Sequence, residues 1–422
     1  MDFDITTLAN GCQYSTDSKK TGINNNQIIV GGSGSGKTMS ITEPCLLNTF
    51  QRNLIVTVTK PRIIGKYKTL LESRGYEVNI LNFNAPEKSD LSFDPLYFIR
   101  TDQDITNLAR SIVMANDKKR QQTSADPYWD ETSISLLTAL IAAALIRNPG
   151  ASFAEVLGLF RSLKITYGDN IRTNYDDFFE GMLSSPREKF AVMNWRSFSN
   201  LPSKTASCVM SNLTTTLGHL FGSELMSMFR MPNKLDFKEQ AQKKSVLFVV
   251  SSPVNSGLNS FVSLFYATAM KELFEFAETQ PDGTLPYATH LVCDDFATGA
   301  PMPQFDQYIS IIREKGLSVT LLCQSESQLE NLYGKAGATT VINNCDTYVY
   351  TGSMDITTAR NVSVRLNRPV DEVLTFPLET FAVFRRGQRP IVAKRYPILL
   401  DPVYQQVENH HHPLRQEVET CR

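Results

Sequence analysis

Hydrophobic and polar positions alternate in two styles along this chain. From Gln27 to about Arg100, short apolar or β-branched runs alternate with helical stretches. Ile28-Ile29-Val30 and Leu54-Ile55-Val56-Thr57-Val58 are continuous runs, the pattern of parallel strands buried on both faces, and Val78-Asn79-Ile80-Leu81 is a weaker third. From about Asp102 to Asp236 the strand signal disappears. Ile134–Ile146, Phe153–Leu163, Tyr175–Leu183 and Ala206–Phe229 read as helices punctuated by Pro127, Pro149, Pro186 and Pro202.

The strand–helix rhythm then resumes with Ser245–Val250. Leu258, Val262, Phe265, Ala269, Leu273 and Phe276 form a helical stripe at steps of three and four. Leu291-Val292-Cys293, Leu317–Cys323, Asp346–Tyr350 and Thr380–Arg386 are further strands. The order predicts an α/β fold with one mainly parallel sheet, interrupted by an all-helical insertion. The expected boundaries are 1–104 and 237–400 for the sheet domain, 105–236 for the insertion, and 401–422 for a polar, mobile tail.

Composition narrows the function classes. The 422 residues allow two or three domains, or one large domain with an insertion. An apolar fraction of 42% with 20% charged residues excludes wholesale disorder. The 42 Lys+Arg against 43 Asp+Glu exclude a protein that coats nucleic acid by bulk attraction, so any such contact is local. Lys118-Lys119-Arg120 is a small basic cluster before Trp129, and a solvated loop is its plainer reading. Cys12, Cys45, Cys208, Cys293, Cys323, Cys345 and Cys421 form no CxxC pair, which favours a reducing compartment over a disulfide scaffold. The cluster His410, His411, His412 lies near a polar terminus and reads as solvated rather than metal-binding. Met1–Asn26 is polar and carries no signal-peptide pattern. Ile134–Ile146 is shorter than the roughly 20 residues of a membrane span, so it is expected as a buried helix.

Gly31-Gly32-Ser33-Gly34-Ser35-Gly36-Lys37-Thr38 fits GxxxxGK[ST] between the strand Ile28–Val30 and a helix expected from Met39 to Asn48. The glycines let successive N–H groups point at the β-phosphate, and the helix N-terminus adds partial positive charge. Lys37 neutralises the β/γ-phosphates and the Thr38 hydroxyl ligates Mg²⁺. The expected cofactors are therefore ATP and Mg²⁺.

Such a site needs a carboxylate at a neighbouring strand end for the metal and a second one for the attacking water. Leu291-Val292-Cys293-Asp294-Asp295 supplies both: Asp294 on the metal side and Asp295 on the water side, on opposite faces if strand alternation continues. Gln324, just after Leu317–Cys323, is placed to sense the γ-phosphate or the water; a capping glutamine is the alternative. Arg313 fits either an arginine finger inserted into a neighbouring subunit or a solvated helix end.

These residues resemble the type IV secretion coupling proteins, the TraG-like ATPases of bacterial conjugation, from about Gly31 to Tyr396. The resemblance rests on the phosphate loop, Asp126-Pro127-Tyr128-Trp129, Leu201-Pro202-Ser203-Lys204-Thr205-Ala206 and, most specifically, the block Leu291–Gly352. Phe384-Arg385-Arg386-Gly387-Gln388-Arg389-Pro390 resembles the closing strand pair. It implies a RecA-like nucleotide-binding domain with an all-α insertion, assembled as a ring, usually hexameric, at the cytoplasmic face of the membrane. It also implies partners: a relaxase–single-stranded DNA complex and other secretion subunits, with ATP-driven pumping of the DNA. Matching residues carry over singly: Lys37 and Thr38 to phosphate and Mg²⁺, Asp294 to the metal, Gln324 to sensing, Arg313 to action across subunits.

Three departures stand out. The family usually has Asp-Glu where this chain has Asp294-Asp295, which predicts slow hydrolysis. Many members carry two membrane helices before the phosphate loop, where about 30 polar residues stand here, so membrane attachment is expected through a partner. Thr59-Lys60-Pro61-Arg62 replaces the family's Asp-Pro-Lys-Gly. Two rivals remain open: a ring ATPase for secretion-machine assembly or DNA partition, and a nucleotide-binding adaptor that hydrolyses little.

Overall fold

The computed structural model describes residues 4–115, 127–168, 171–252, 256–298 and 301–411. Lys118-Lys119-Arg120, Asp126, His412 and Cys421 fall outside these ranges. In chain order the strands are β1 (Ile5–Ala9), β2 (Cys12–Ser15), β3 (Gln27–Val30), β4 (Asn53–Val58) and β5 (Glu77–Asn82). Then come β6 (Ile165–Thr166), β7 (Arg172–Thr173), β8 (Ser245–Val250), β9 (Thr289–Cys293) and β10 (Leu317–Cys323). The last are β11 (Thr347–Tyr350), β12 (Thr380–Arg385) and β13 (Ile391–Lys394).

Nine of them form one sheet in the order β13-β12-β11-β3-β10-β9-β4-β8-β5. Every pairing from β11 across to β5 is parallel, and β12 and β13 close the edge as an antiparallel pair. Pairing puts β3 between β10 and β11, and β4 between β9 and β8. The ends of β3, β9, β10 and β11 therefore converge on one rim of the sheet, where the switch in strand order opens a crevice.

The continuous apolar runs are explained by burial on both faces. In β3, Ile28 and Val30 face one core while Ile29 faces the other; in β8, Leu247 and Val249 oppose Val246, Phe248 and Val250. One face is covered by the helices Arg62–Ser73 and Pro402–His411, whose Tyr67, Leu71, Tyr404 and Val407 are buried. The other face is continuous with the helical block. There Phe83 and Phe93 meet Phe261 and Phe265 of helix Ser256–Glu278 at ring-centroid distances of 5.1 to 5.9 Å. Each buried phenyl contributes about 1.5–3 kcal/mol. The expected stripe from Val262 to Phe276 lies on this helix and is buried.

Between β5 and β8 the helices include Asp102–Met114, Pro127–Arg147, Phe153–Ser162, Pro186–Ser199 and Ser203–Leu220. Capping sets their starts. Ser185 accepts from the Glu188 N–H at 3.2 Å while Glu188 accepts from the Ser185 N–H at 2.8 Å, with Pro186 in the first turn. Trp195 stacks on Phe179 at 4.3 Å and 9°.

Several expectations need correction. The block is not wholly helical, since β6 and β7 form a small antiparallel hairpin. Tyr175–Leu183 shortens to Asp176–Glu180, and Ala206–Phe229 breaks at Gly222 into Ser203–Leu220 and Ser223–Met228. The helix expected at Ile134–Ile146 runs from Pro127 to Arg147. Its stretch Tyr128–Arg147 is long and apolar enough to cross a membrane, and its most apolar window is 78% buried inside the molecule. Residues near the chain start, read as polar and given no element in the sequence analysis, form the β1–β2 hairpin with Leu8, Ala9 and Cys12 buried. The tail begins as the helix Pro402–His411, where Lys66 bridges Glu408 at 2.5 Å and Glu43 at 2.9 Å. Cys12, Cys45, Cys293, Cys323 and Cys345 are buried free thiols, and Cys208 is exposed.

Candidate functional site

Gly31–Lys37 curls out of the end of β3, held on both sides by the neighbouring strand ends. The Gly31 N–H donates to the Cys323 carbonyl of β10 at 3.1 Å, and the Gly32 N–H to the Gly352 carbonyl beyond β11 at 2.8 Å. Glycine is required twice. A Cβ on Gly31 would stand 1.8 Å from Thr351 Oγ1, and Gly36 has φ +81°. Thr351 also donates to Ser35 Oγ at 2.9 Å. Ser33 and Gly34 form the outer turn of the loop. The helix expected from Met39 begins instead as a π-helical turn, Thr38–Thr42, before Glu43–Leu47 continues as α-helix.

Lys37 is buried and folds back on its own loop, donating to the Gly31 carbonyl and to the Gly32 carbonyl at 3.0 Å. Burial pulls the pKa of its ammonium down, while the carboxylates of Asp294 and Asp295 act the other way. Thr38 Oγ1 donates to Asp294 Oδ2 at 3.0 Å, across 256 residues of sequence. Burial, reinforced by the charge of Asp295, raises the pKa of Asp294; the Thr38 hydrogen bond and Lys37 oppose the shift. One hydroxyl and one carboxylate facing each other form a hard oxygen pair of the kind that binds Mg²⁺. The buried ammonium beside them suits phosphate oxygens.

Asp295 departs from expectation. Strand pairing ends at Cys293, and Asp295 takes φ +51° in the left-handed region, so alternation does not carry through it. Its N–H donates to Asp294 Oδ1 at 3.1 Å, and its carbonyl accepts from Thr298 Oγ1 at 2.8 Å. A turn, rather than a pleat, separates the two carboxyls. Beside them lies a cavity of about 30 Å³ lined by Thr57, Ser251, Asp294 and Asp295. Hydroxyl and carboxylate oxygens share its lining with apolar side chains, and it is large enough to hold a water.

Gln324 follows β10 on the same rim. Its N–H donates to Gln328 Oε1 at 3.3 Å and its carbonyl accepts from Ser353 Oγ at 3.5 Å. Arg313 is elsewhere. It precedes β10, donates to the carbonyls of Ser18 at 3.4 Å and Gly22 at 3.1 Å, and lines a cavity of about 460 Å³ with Asp17, Lys19 and Arg52. The seven residues of β10 separate it from the phosphate loop's rim by roughly 20 Å. The sheet thus gathers Gly31–Thr38, Asp294, Asp295 and Gln324, and leaves Arg313 at the opposite pole. Sequence reasoning gave no role to Thr351 and Gly352. The signal was available, since both directly follow the strand Asp346–Tyr350, the kind of strand end already used to find Asp294 and Gln324.

A family model for type IV secretory system conjugative DNA transfer matches residues 5–368. The type IV secretion system-coupling protein VirD4 of Bartonella quintana is 23% identical over 354 residues, 82% of this chain and 53% of the relative. The coupling protein TraD of Escherichia coli is 22% identical over 254 residues, covering 59% of this chain and 32% of TraD. The chain thus spans about half the length of the VirD4 relative. Among solved structures, the plasmid coupling protein TrwB in complex with ADP and Mg²⁺ aligns with a TM-score of 0.65 at 17% identity, covering 88% of this chain and 85% of TrwB. VirB4 of Thermoanaerobacter pseudethanolicus aligns with a TM-score of 0.54 at 14% identity, covering 96% and 99%. The fold is RecA-like, and the chain belongs to the type IV secretory system conjugative DNA transfer family.

Proposed function

We propose that this chain is the ATP-hydrolysing coupling subunit of a conjugative type IV secretion system. It recruits a relaxase–single-stranded DNA complex and drives the strand towards the channel. The observation that carries the reading is the Thr38–Asp294 contact at 3.0 Å beside the buried Lys37, a phosphate loop and an acidic strand end already in register. TrwB, which shares the fold, is described in complex with ADP and Mg²⁺.

In this reading Gly31, Gly32, Ser33, Gly34, Ser35 and Gly36 wrap the polyphosphate, and Lys37 leaves its two loop carbonyls to neutralise it. Thr38 and Asp294 hold the metal. Bound Mg²⁺ would supply charge neutralisation to the phosphates. Asp295 orients the attacking water from the adjoining cavity, and Gln324 senses the γ-phosphate. Subunits assemble as a hexameric ring on nucleotide and DNA, with Arg313 of one acting on the next; the isolated chain is a monomer. The helical block between β5 and β8 receives the DNA-bearing partner. The ring sits at the cytoplasmic face of the membrane through a partner.

Steady-state hydrolysis with and without single-stranded DNA tests this. ATP turnover rises with DNA and falls at least 100-fold in Lys37→Ala; turnover unaffected by both changes overturns it. A second reading, an adaptor that binds ATP but hydrolyses little, is favoured by the short, turn-held Asp295.

A further inference from the structure

Residues just after β13 lie against the phosphate loop, and no role has been given to them above. A Cβ built on Gly36 would lie 3.3 Å from Arg395 Nη1, so this guanidinium touches the loop immediately before Lys37. Glu379 holds it from the other side. Arg395 Nη2 meets Glu379 Oε1 at 2.6 Å, and the Arg395 N–H donates to the Glu379 carbonyl at 2.7 Å.

Two features make this pair exchangeable. The Glu379 side chain is 57% exposed, so water competes for it and the ion pair is weak. Its backbone sits at φ +63°, a conformation costly for glutamate that concentrates at ligand clamps and switch regions. A guanidinium fork matches phosphate oxygens as well as carboxylate oxygens, and this one lies on a phosphate-binding loop with a solvated carboxylate partner.

We propose that Arg395 binds the α/β-phosphate side of the nucleotide held by its own subunit, and that Glu379 is the partner it releases when nucleotide enters. This rests on the nucleotide-binding reading of the loop and extends it to the closing strand pair. Occupancy of the loop then changes the tie between the start of β12 and the end of β13, at the edge of the sheet. Arg395 acts within one subunit, unlike Arg313 at the far pole.

Calorimetric titration of the full chain with MgATP and with MgADP tests the exchange. Arg395→Gln weakens both nucleotides about tenfold or more, the loss of a charge-assisted hydrogen bond. Glu379→Gln, which removes the competitor and keeps the arginine, tightens both about threefold. Arg395→Gln affinities within twofold of the parent overturn the contact, and Glu379→Gln affinities that do not improve overturn the exchange. Weakening of ATP alone places the guanidinium at the γ-phosphate and overturns the α/β assignment. A parent chain that binds neither nucleotide overturns the loop reading itself. Parent binding that Lys37→Ala abolishes keeps that reading standing whatever Arg395 does.

Discussion

Replacing Asp295 by glutamate adds one methylene, about an ångström of reach towards the water-sized cavity beside it. The replacement also meets the backbone. Asp295 occupies φ +51°, where aspartate is tolerated and longer side chains cost about 1 kcal/mol more. Two effects of opposite sign follow. If the short carboxylate limits water positioning, turnover rises about tenfold, which is about 1.4 kcal/mol of barrier. At the same time the unfolding free energy falls by about 1 kcal/mol. Asp295→Asn separates the two, because asparagine accepts the left-handed backbone and lacks the base. It keeps stability and loses about 100-fold or more in turnover. The assay is steady-state phosphate release at saturating ATP, paired with urea unfolding of each variant. Turnover in Asp295→Glu at or below the parent's, with stability unchanged, refutes Asp295 as the water-side group. So does Asp295→Asn that retains half the parent's rate.

Two other predictions concern the frame around the site. Gly31→Ala places a methyl 1.8 Å from Thr351 Oγ1, and overpacking of this kind costs about 1–3 kcal/mol in urea unfolding. Adding Thr351→Ala recovers part of the loss, and strictly additive effects refute the contact. Asp94 accepts from the N–H groups of Leu96 at 2.9 Å and Phe153 at 2.7 Å, tying the helical block to the sheet, and burial pushes its pKa up to about 7 from 3.8. The folded chain then keeps a proton that the unfolded chain has released, so this group's contribution to stability falls as pH rises from about 4 to about 7. Asp94→Asn flattens that decline, and parallel stability–pH curves for parent and variant refute it.

The legible parts of the sequence were those where physics forces a pattern. β3, β4 and β8 are buried on both faces, so apolar and β-branched residues run through them with few polar breaks. The phosphate loop is legible because few residue types permit its backbone. The β1–β2 hairpin was hidden by its partly polar sequence, in which Thr6, Thr7 and Gln13 interrupt the apolar residues. β13 left no pattern of its own, because an edge strand that is mostly exposed carries no burial signal, and only the resemblance of Phe384–Pro390 to a closing strand pair implied it. The helix Pro127–Arg147 extends past its apolar run because Thr132 and Ser133 satisfy their hydroxyls on the Tyr128 and Trp129 carbonyls, each at 2.8 Å, and so bury without penalty. The turn at Asp295 left no trace, since aspartate serves a strand end and a left-handed turn alike.

The placement of Arg313 has a consequence for any hydrolytic role it carries. Its guanidinium is anchored on the Ser18 and Gly22 carbonyls, on the side where β10 begins, while Lys37 and Asp294 lie where β3 and β9 end. A side chain reaching at most about 7 Å cannot cross the roughly 20 Å length of β10. Movement within one subunit does not solve this, because the strands between the two poles are the buried, parallel centre of the sheet. Arg313 can meet a triphosphate only if that triphosphate belongs to another copy. Its catalytic contribution must then depend on protein concentration. Single chains and closed assemblies with identical sites therefore differ in turnover per site, and they stop differing once Arg313 is replaced by alanine.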